Sequence, residues 1–311
     1  MHISQLSELR DSWDLLIDID SPFLDYSKIA AELVCAELER YGVKNYGLKY
    51  SGSKGFHIIV PSTAFPHHLE DKETHLMFPD WPRAITEFIM HEIKPAYNRA
   101  ITSLGFNIEA LERKTKLSRD ELLQTTCPQC GNSVEKHLMF SMKCDRCGVL
   151  YQRPDIKVTK RKLRCTTETC PGSFQIVDEK EFWKCTSCNA SSLNKREDSS
   201  KKTVYSKREN YFLNAEQELA GDKLGTLDLV LVSSRHLFRM PYSLHEKTAL
   251  ASVVISKEQI AKFSPKDADP LKVEVRPYYP SCISGEAENL LRTALKWKSN
   301  FEEKKPRTYA N

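Results

Sequence analysis

Eight of the chain's ten cysteines fall in four pairs between Cys127 and Cys188, and this spacing limits that stretch more than any other feature limits the chain. The pairs are Cys127-Pro-Gln-Cys130, Cys144-Asp-Arg-Cys147, Cys165-x4-Cys170 and Cys185-Thr-Ser-Cys188. Two cysteines separated by two residues form a knuckle whose thiolates converge on one ion, and a second knuckle completes a tetrahedral zinc site. Chain order predicts two zinc ribbons in tandem, the first holding zinc with Cys127, Cys130, Cys144 and Cys147, the second with Cys165, Cys170, Cys185 and Cys188. Gly131 and Gly148 follow the first two knuckles, where a tight turn calls for positive φ. Redox chemistry does not account for two pairs per unit. All-thiolate zinc is closed to substrate, so both sites read as structural, supplying folding energy that so small a module lacks. Tyr151, Phe174, Phe182 and Trp183 read mostly as its small core. Cys35 and Cys282 stand apart and read as buried structural thiols.

The cysteine module interrupts an α+β pattern. Residues 14–20 (DLLIDID) predict a strand with Leu15, Ile17 and Ile19 on one face and Leu16, Asp18 and Asp20 on the other. An amphipathic helix follows over 27–41, with Ile29, Leu33, Val34, Ala36 and Leu38 on its apolar side, Asp25 or Ser27 as cap and Gly42 as terminator. Strands at 46–50 and 57–61 flank the turn SGSKGF, and a helix-rich stretch over 82–124 is broken near Pro95. After the module come a short helix near 209–220, strands at 227–233 and 251–255, and a helix over 285–302. The resulting domains are 1–124 (core, first part), 125–192 (tandem zinc ribbons), 193–208 (polar linker) and 209–311 (core, second part).

No apolar run approaches the roughly 18 residues that span a bilayer, and the N-terminus has no apolar signal core. The expectation is a cytoplasmic protein, nuclear in a eukaryote, without membrane contact. The net charge of +4 permits a nucleic-acid partner. Lys and Arg crowd into 153–164 and 195–208, and the first run reads either as a solvated loop or as a phosphate-contacting surface.

Three segments carry the chemistry. Asp18 and Asp20, two apart on a strand, direct their carboxylates the same way and suit one or two divalent cations. The turn SGSKGFH (51–57) offers backbone N–H groups to an anion, with Lys54 and His57 as side-chain donors to a triphosphate. Asp228 opens the strand LDLVLVS and is followed by a basic loop containing Arg235, His236, Arg239, His245 and Lys247. Each taken alone is as well explained by a strand end, a glycine hairpin or a surface loop.

Together these residues resemble the archaeo-eukaryotic primase superfamily. Its first motif is an hhhDhD strand, here LLIDID (15–20). Its second resembles SGRRGxH, here SGSKGFH (51–57). Its third is an acidic residue on a strand followed by a stretch like RxLxRxPxSxHxKTG, here the run from Arg235 to Thr248. The resemblance covers 18–62 and 222–256, with the zinc insertion between the second and third motifs. It implies a primase-type catalytic core with an RRM-like sheet. It also implies a nucleotidyltransferase, the small (catalytic) subunit of a DNA primase, that synthesises short primers for replication on a single-stranded DNA template from nucleoside triphosphates. Asp18, Asp20 and Asp228 match the triad for Mg²⁺ or Mn²⁺, with Asp222 as the alternative third carboxylate. Ser51, Lys54 and His57 match the binders of the incoming nucleotide's phosphates. Arg239 and His245 match the contacts to triphosphate and sugar. A large iron–sulfur subunit commonly partners such chains. Ser53 stands where the family has an arginine, Glu246 where the archaeal version often has glycine, and Ala249 where glycine follows KT. Only 17 residues precede Asp18, fewer than small subunits carry there. Two rival readings remain: a repair or mobile-element primase-polymerase that extends existing primers, and a zinc-ribbon nucleic-acid-binding protein whose catalytic half is degenerate.

Overall fold

The computed structural model describes residues 9–155, 163–197, 203–207, 217–224 and 238–303. The chain divides into two compact units, Met1–Leu122 with Ala220–Asn311, and Leu123–Leu219. Among the described residues no helix is long and apolar enough to cross a membrane.

The first unit is built on strands β1 (Leu15–Ile19), β2 (Gly47–Tyr50) and β3 (Phe56–Val60), joined antiparallel in the order β1-β3-β2. Alternation along β1 buries Leu15, Ile17 and Ile19 completely and leaves Asp18 on the opposite face. β2 and β3 are buried along their whole length, so their sequences run nearly continuously apolar, and the exceptions, Lys49 and His57, are informative. Residues 251–255 lie along β2, through bonds from Tyr50 N–H to the Val253 carbonyl (2.8 Å) and from Ile255 N–H to the Leu48 carbonyl (3.0 Å). Their pairing with β2 is limited to a bridge between Lys49 and Val254, and a second bridge joins Ala251 to Leu244, so the expected strand is an extended segment between the two.

Helix α1 (Leu24–Arg40) turns Ala30, Ala31, Val34, Cys35 and Leu38 into the core and leaves Ala36 exposed, which moves the predicted apolar face by one residue. Neither Asp25 nor Ser27 caps it. It starts at Leu24 behind Phe23, whose N–H bonds the Ser21 hydroxyl (3.1 Å), and Ser27 is buried inside the first turns. Gly42, at φ +95°, ends it as expected. Cys35 is fully buried, and burial pushes its thiol up to about 12. Cys282 is half-buried and donates to the Asn45 carbonyl at 3.0 Å.

Helix α2 (Asp80–Ser103) runs through Pro95, where a break was expected. The proline removes the N–H that would bond the His91 carbonyl, at a cost of about 3 kcal/mol. The face formed by Ile85, Phe88, Ile89, Ile93, Tyr97 and Ile101 stays buried as α2 packs on α1 and on α5 (Glu288–Glu303). At ~2 kcal/mol per buried side chain, that face outweighs the lost bond. Short helices α3 (Ile108–Thr115) and α4 (Arg119–Leu122) complete the stretch.

The second unit begins at β4 (Leu123–Thr125) and ends at β11 (Gln217–Leu219), and these two strands pair antiparallel. The inserted module therefore leaves and re-enters the chain at one place. The pairing also replaces the end of the helix expected near 209–220; residues 209–216 lie outside the described set. The module's sheet has the order β6 (Leu150–Pro154), β5 (Val134–Cys144), β8 (Ser173–Cys185), β7 (Leu163–Arg164). The polar stretch expected to be a linker pairs with itself as β9 (Leu193–Glu197) and β10 (Thr203–Lys207). Phe174 and Phe182 are buried, whereas Tyr151 and Trp183 are exposed, so the expected aromatic core is half of what was read. The basic run at 156–162 lies outside the described residues.

Candidate active site and metal centres

The cysteines converge in two groups, and the groups are not the tandem ones. Cys127, Cys130, Cys185 and Cys188 form one, Cys144, Cys147, Cys165 and Cys170 the other, each with its sulfur atoms within 4.8 Å of one another. The cause is the ladder between β5 and β8, which runs from Val134 opposite Cys185 to Cys144 opposite Phe174, with one register shift between Ile176 and Asp178. Antiparallel pairing over that length brings the outer knuckles together at one end and the inner ones at the other. One site is thus nested inside the other in sequence.

The sulfur spacings suit a metal. Cys127 and Cys188 lie 3.7 Å apart, Cys130 and Cys185 3.4 Å, Cys144 and Cys170 3.7 Å, and Cys147 and Cys165 3.6 Å. A tetrahedron with Zn–S bonds near 2.3 Å has edges of about 3.8 Å. Backbone N–H groups of Arg146, Thr167 and Ser187 point at Cys144, Cys165 and Cys185 at 3.4 Å, hydrogen bonds that stabilise negative charge on the sulfurs. Gly131 and Gly148 have φ near +70°, as the knuckle turns require, and Asn189 takes the same conformation after Cys188. A Cβ on Gly172 would lie 2.5 Å from the Cys144 sulfur, so only glycine lets this loop close on the inner site. Both groups are compatible with structural zinc.

The acidic site lies at the end of β1. Register places Asp18 opposite His57 of β3, and His57 opposite Lys49 of β2. His57 Nε2 is 3.2 Å from Asp18 Oδ1. Asp20 sits one residue beyond the strand, exposed, its backbone no longer paired. Partial desolvation by the surrounding chain first, and then the charge of Asp18, push its carboxyl above the usual range, while Lys54, the Ser21 N–H and His57 pull it down. A cation between the two carboxylates would relieve that repulsion, and paired carboxylate oxygens are the donors Mg²⁺ and Mn²⁺ take. Among the described residues the groups of three or more convergent ligands are the two cysteine sets. Asp228 lies outside the described residues, as do Arg235 and His236. Asp222, its alternative, lies in a 3₁₀ turn over Gly221–Lys223 beside α2, where Gly221 N–H donates to Asn98 Oδ1 at 3.0 Å.

The loop 51–55 is held against that carboxylate end. Ser51 N–H bonds the Gly55 carbonyl (2.9 Å), and Gly55 N–H returns to the Ser51 hydroxyl (3.1 Å). A Cβ on Gly55 would run into the carbonyl oxygen of Ile19, so the absence of a side chain is what lets the loop lie on β1 next to Asp20. Ser51 thus shapes the loop, and Lys54 is exposed from it. On its other side the loop meets the segment from Arg239 to Leu250. Gly52, at φ +97°, has no room for a Cβ, which would sit 2.8 Å from the His245 Cβ, and its carbonyl accepts from the Thr248 hydroxyl at 2.5 Å. His245 Nδ1 accepts from Lys247 N–H (3.2 Å). Arg239 donates to the Leu244 carbonyl (3.0 Å) and to Glu246 (2.8 Å). Ser51, Lys54, His57, Arg239 and His245 are therefore brought to one region with Asp18 and Asp20.

Lys49, Ser252 and Phe238 were not singled out from the sequence. Lys49 is fully buried, its Nζ 2.6 Å from His57 Nδ1 and 2.9 Å from the Ser252 hydroxyl, over the Phe238 ring at 4.6 Å. Burial brings its ammonium down to about 7, against the pull of Asp18. Burial likewise pushes His57 below the usual imidazole range, opposed by the hydrogen bond to Asp18. The one available signal was a lone lysine in the otherwise apolar strand Gly47–Tyr50.

No protein-family model, no curated protein and no solved structure matches the chain.

Proposed function

We propose that this chain is a metal-dependent, template-directed nucleotidyltransferase, the catalytic subunit of an archaeo-eukaryotic type DNA primase. The observation that carries the reading is the antiparallel register of Asp18 with His57, with Gly55 seated on Ile19. It joins two motifs 31 to 39 residues apart in the sequence into one acidic and basic centre. The segment from Arg239 to Thr248 adds a third, packed on the same loop.

In this reading Asp18 and Asp20, with Asp228, hold Mg²⁺ or Mn²⁺, which when bound supplies charge neutralisation for phosphoryl transfer. Lys54, His57, Arg239 and His245 grip the triphosphate of the incoming nucleotide, and backbone N–H groups of the 51–55 turn add to that grip. A 3′-hydroxyl attacks the α-phosphate, the new phosphodiester forms, and pyrophosphate leaves into the basic side of the site. The cysteine module holds two structural zinc ions. Single-stranded DNA is the template and a primase large subunit a partner.

The test is nucleotide incorporation on single-stranded DNA, with and without a primer, by wild type and by a D18A/D20A variant. Wild type should incorporate, and the variant should lose incorporation while zinc content and circular dichroism stay unchanged. Equal incorporation by both sinks the assignment. Incorporation only on the primed template assigns the chain to primer extension. Failure of wild type to bind any nucleoside triphosphate leaves a nucleic-acid-binding module.

A further inference from the structure

The buried lysine beside the site has no place in the reaction as described above, and its surroundings define what it does. A fully buried charged side chain is rare unless its hydrogen bonds are filled. Lys49 Nζ has two partners, His57 Nδ1 at 2.6 Å and the Ser252 hydroxyl at 2.9 Å. Ser252 donates its own proton to the Tyr50 carbonyl at 2.8 Å, so toward Lys49 it is an acceptor. On the far side of the imidazole, Nε2 faces the Asp18 carboxylate at 3.2 Å.

For a neutral imidazole these contacts admit one arrangement of protons. A carboxylate offers only lone pairs, so Nε2 must carry a hydrogen. With the imidazole neutral, Nδ1 is then a bare acceptor, and Lys49 Nζ donates into it. An ammonium and a neutral amine both have hydrogens to give, so the arrangement holds whichever form Lys49 takes. The reverse arrangement, Nδ1–H toward Lys49, would set the Nε2 lone pair against the carboxylate. Phe238 lies against both groups, 5.0 Å from the imidazole centroid and 4.6 Å from Nζ, and keeps water from replacing either bond.

We infer that Lys49 is a positioning residue of the nucleotide centre: together with Ser252 it locks His57 in the Nε2–H tautomer, so that the imidazole presents a donor on the Asp18 side. Resting on the proposed function, this deepens it. The donor faces the place where a triphosphate oxygen would lie beside the carboxylates, and a phosphate needs a donor there, not a lone pair. Ser252 anchors Nζ so that the lysine cannot rotate away from the ring.

The test is the tautomer itself, read from the ¹⁵N shifts of histidine in the full-length, zinc-loaded protein, with steady-state incorporation beside it. Wild type should show His57 as Nε2–H with Nδ1 unprotonated. Lys49→Met, which keeps the buried volume and removes the donor, should give a mixture of tautomers. It should also raise the KM for the nucleoside triphosphate about tenfold while kcat moves less than threefold. An Nδ1–H tautomer in wild type overturns the inference. So does a Lys49→Met protein with both tautomer and KM unchanged. Should that variant fail to fold, the wild-type tautomer still decides. Ser252→Ala then tests the lock, with a smaller shift of tautomer and KM expected and no movement in either counting against it. The tautomer needs no turnover, so an inactive wild-type protein would reject the nucleotidyltransferase reading, and with it the nucleotide-positioning role, while the tautomer lock itself is decided separately by the ¹⁵N shifts.

Discussion

The two units hold their functional groups in place by opposite means. In the cysteine module eight thiols are gathered at the ends of one ladder, whose core is confined to a few side chains such as Met139, Phe140, Met142, Phe174 and Phe182. Leu138, Ile176 and Val177, on the same ladder, are exposed. In the unit of β1, β2 and β3 the polar groups are fixed by a packed core. Asp18 rides on a strand whose other face is completely buried, and His57 and Lys49 are fitted between Phe238 and Tyr278. The first arrangement is compatible with a structural ion at each end. The second carries its geometry within the fold.

Metal removal is the sharpest way to break that comparison, and it has the largest expected effect. Apparent zinc-binding free energies in small Cys-rich modules are about 10–16 kcal/mol. A strong chelator should therefore abolish amide protection across β5 and β8, while β1 and β3 keep theirs; retained protection in β5 and β8 would mean a module that folds without metal. The nested grouping can be tested in the same preparation. Replacing Cys127 and Cys185 together should remove one zinc of two, whereas replacing Cys127 and Cys144 should remove both. A tandem arrangement gives the reverse.

The corresponding perturbation of the packed unit is a single methyl group. Gly55→Ala puts a Cβ into the Ile19 carbonyl and should cost about 2–4 kcal/mol, read as a lower urea midpoint and weaker nucleotide binding. Gly105 is the control. It has φ +73° but nothing within 4 Å of an added Cβ, so alanine there should cost only about 1 kcal/mol. Gly55 itself is not at positive φ, so equal effects at the two positions would mean that the close approach of loop to strand costs no more than a left-handed backbone does.

What the sequence made legible follows the same division. Period-two alternation in LLIDI placed Asp18 on the face away from the core, and the turn chemistry of SGSKGF gave the β2–β3 hairpin, because both are local signals. The partners of the cysteine knuckles were not legible. Four pairs can be combined into two sites in several ways, and the choice lies in which long strands pair, not in spacing. The similar lengths of Val134–Cys144 and Ser173–Cys185, 11 and 13 residues, were the overlooked sign. Pro95 misled because its cost is local while the apolar face that outweighs it spans the whole of α2. Lys49 was missed because a lysine in a strand reads as an edge residue pointing to water. Only the meeting of β2 with β3 and with the 251–255 segment, some 200 residues later, shows that it is enclosed.

That enclosure gives the smallest expected effect, and its sign can be worked out. Burial brings the Lys49 ammonium from 10.5 down to about 7. Between those values the unfolded chain holds a proton that the folded chain has lost, so this group's contribution to stability rises with pH across the window and is flat below it. Below pH 7 the folded protein bears the full cost of a buried ammonium; above about 10.5 it bears none. Lys49→Met removes the titration, so the stability of the variant relative to wild type should be greatest near pH 6 and decline toward pH 10. At about 1.4 kcal/mol per pKa unit the fall is at most about 5 kcal/mol, and about 2 kcal/mol is expected once hydrogen bonds to the ammonium are counted. Taking the difference between variant and wild type cancels the cysteine titrations of the other unit, which both proteins share. Denaturation curves at pH 6, 8 and 10 suffice. A difference that stays flat with pH would place the lysine in water, and the tautomer lock on His57 would then have no buried donor to hold it.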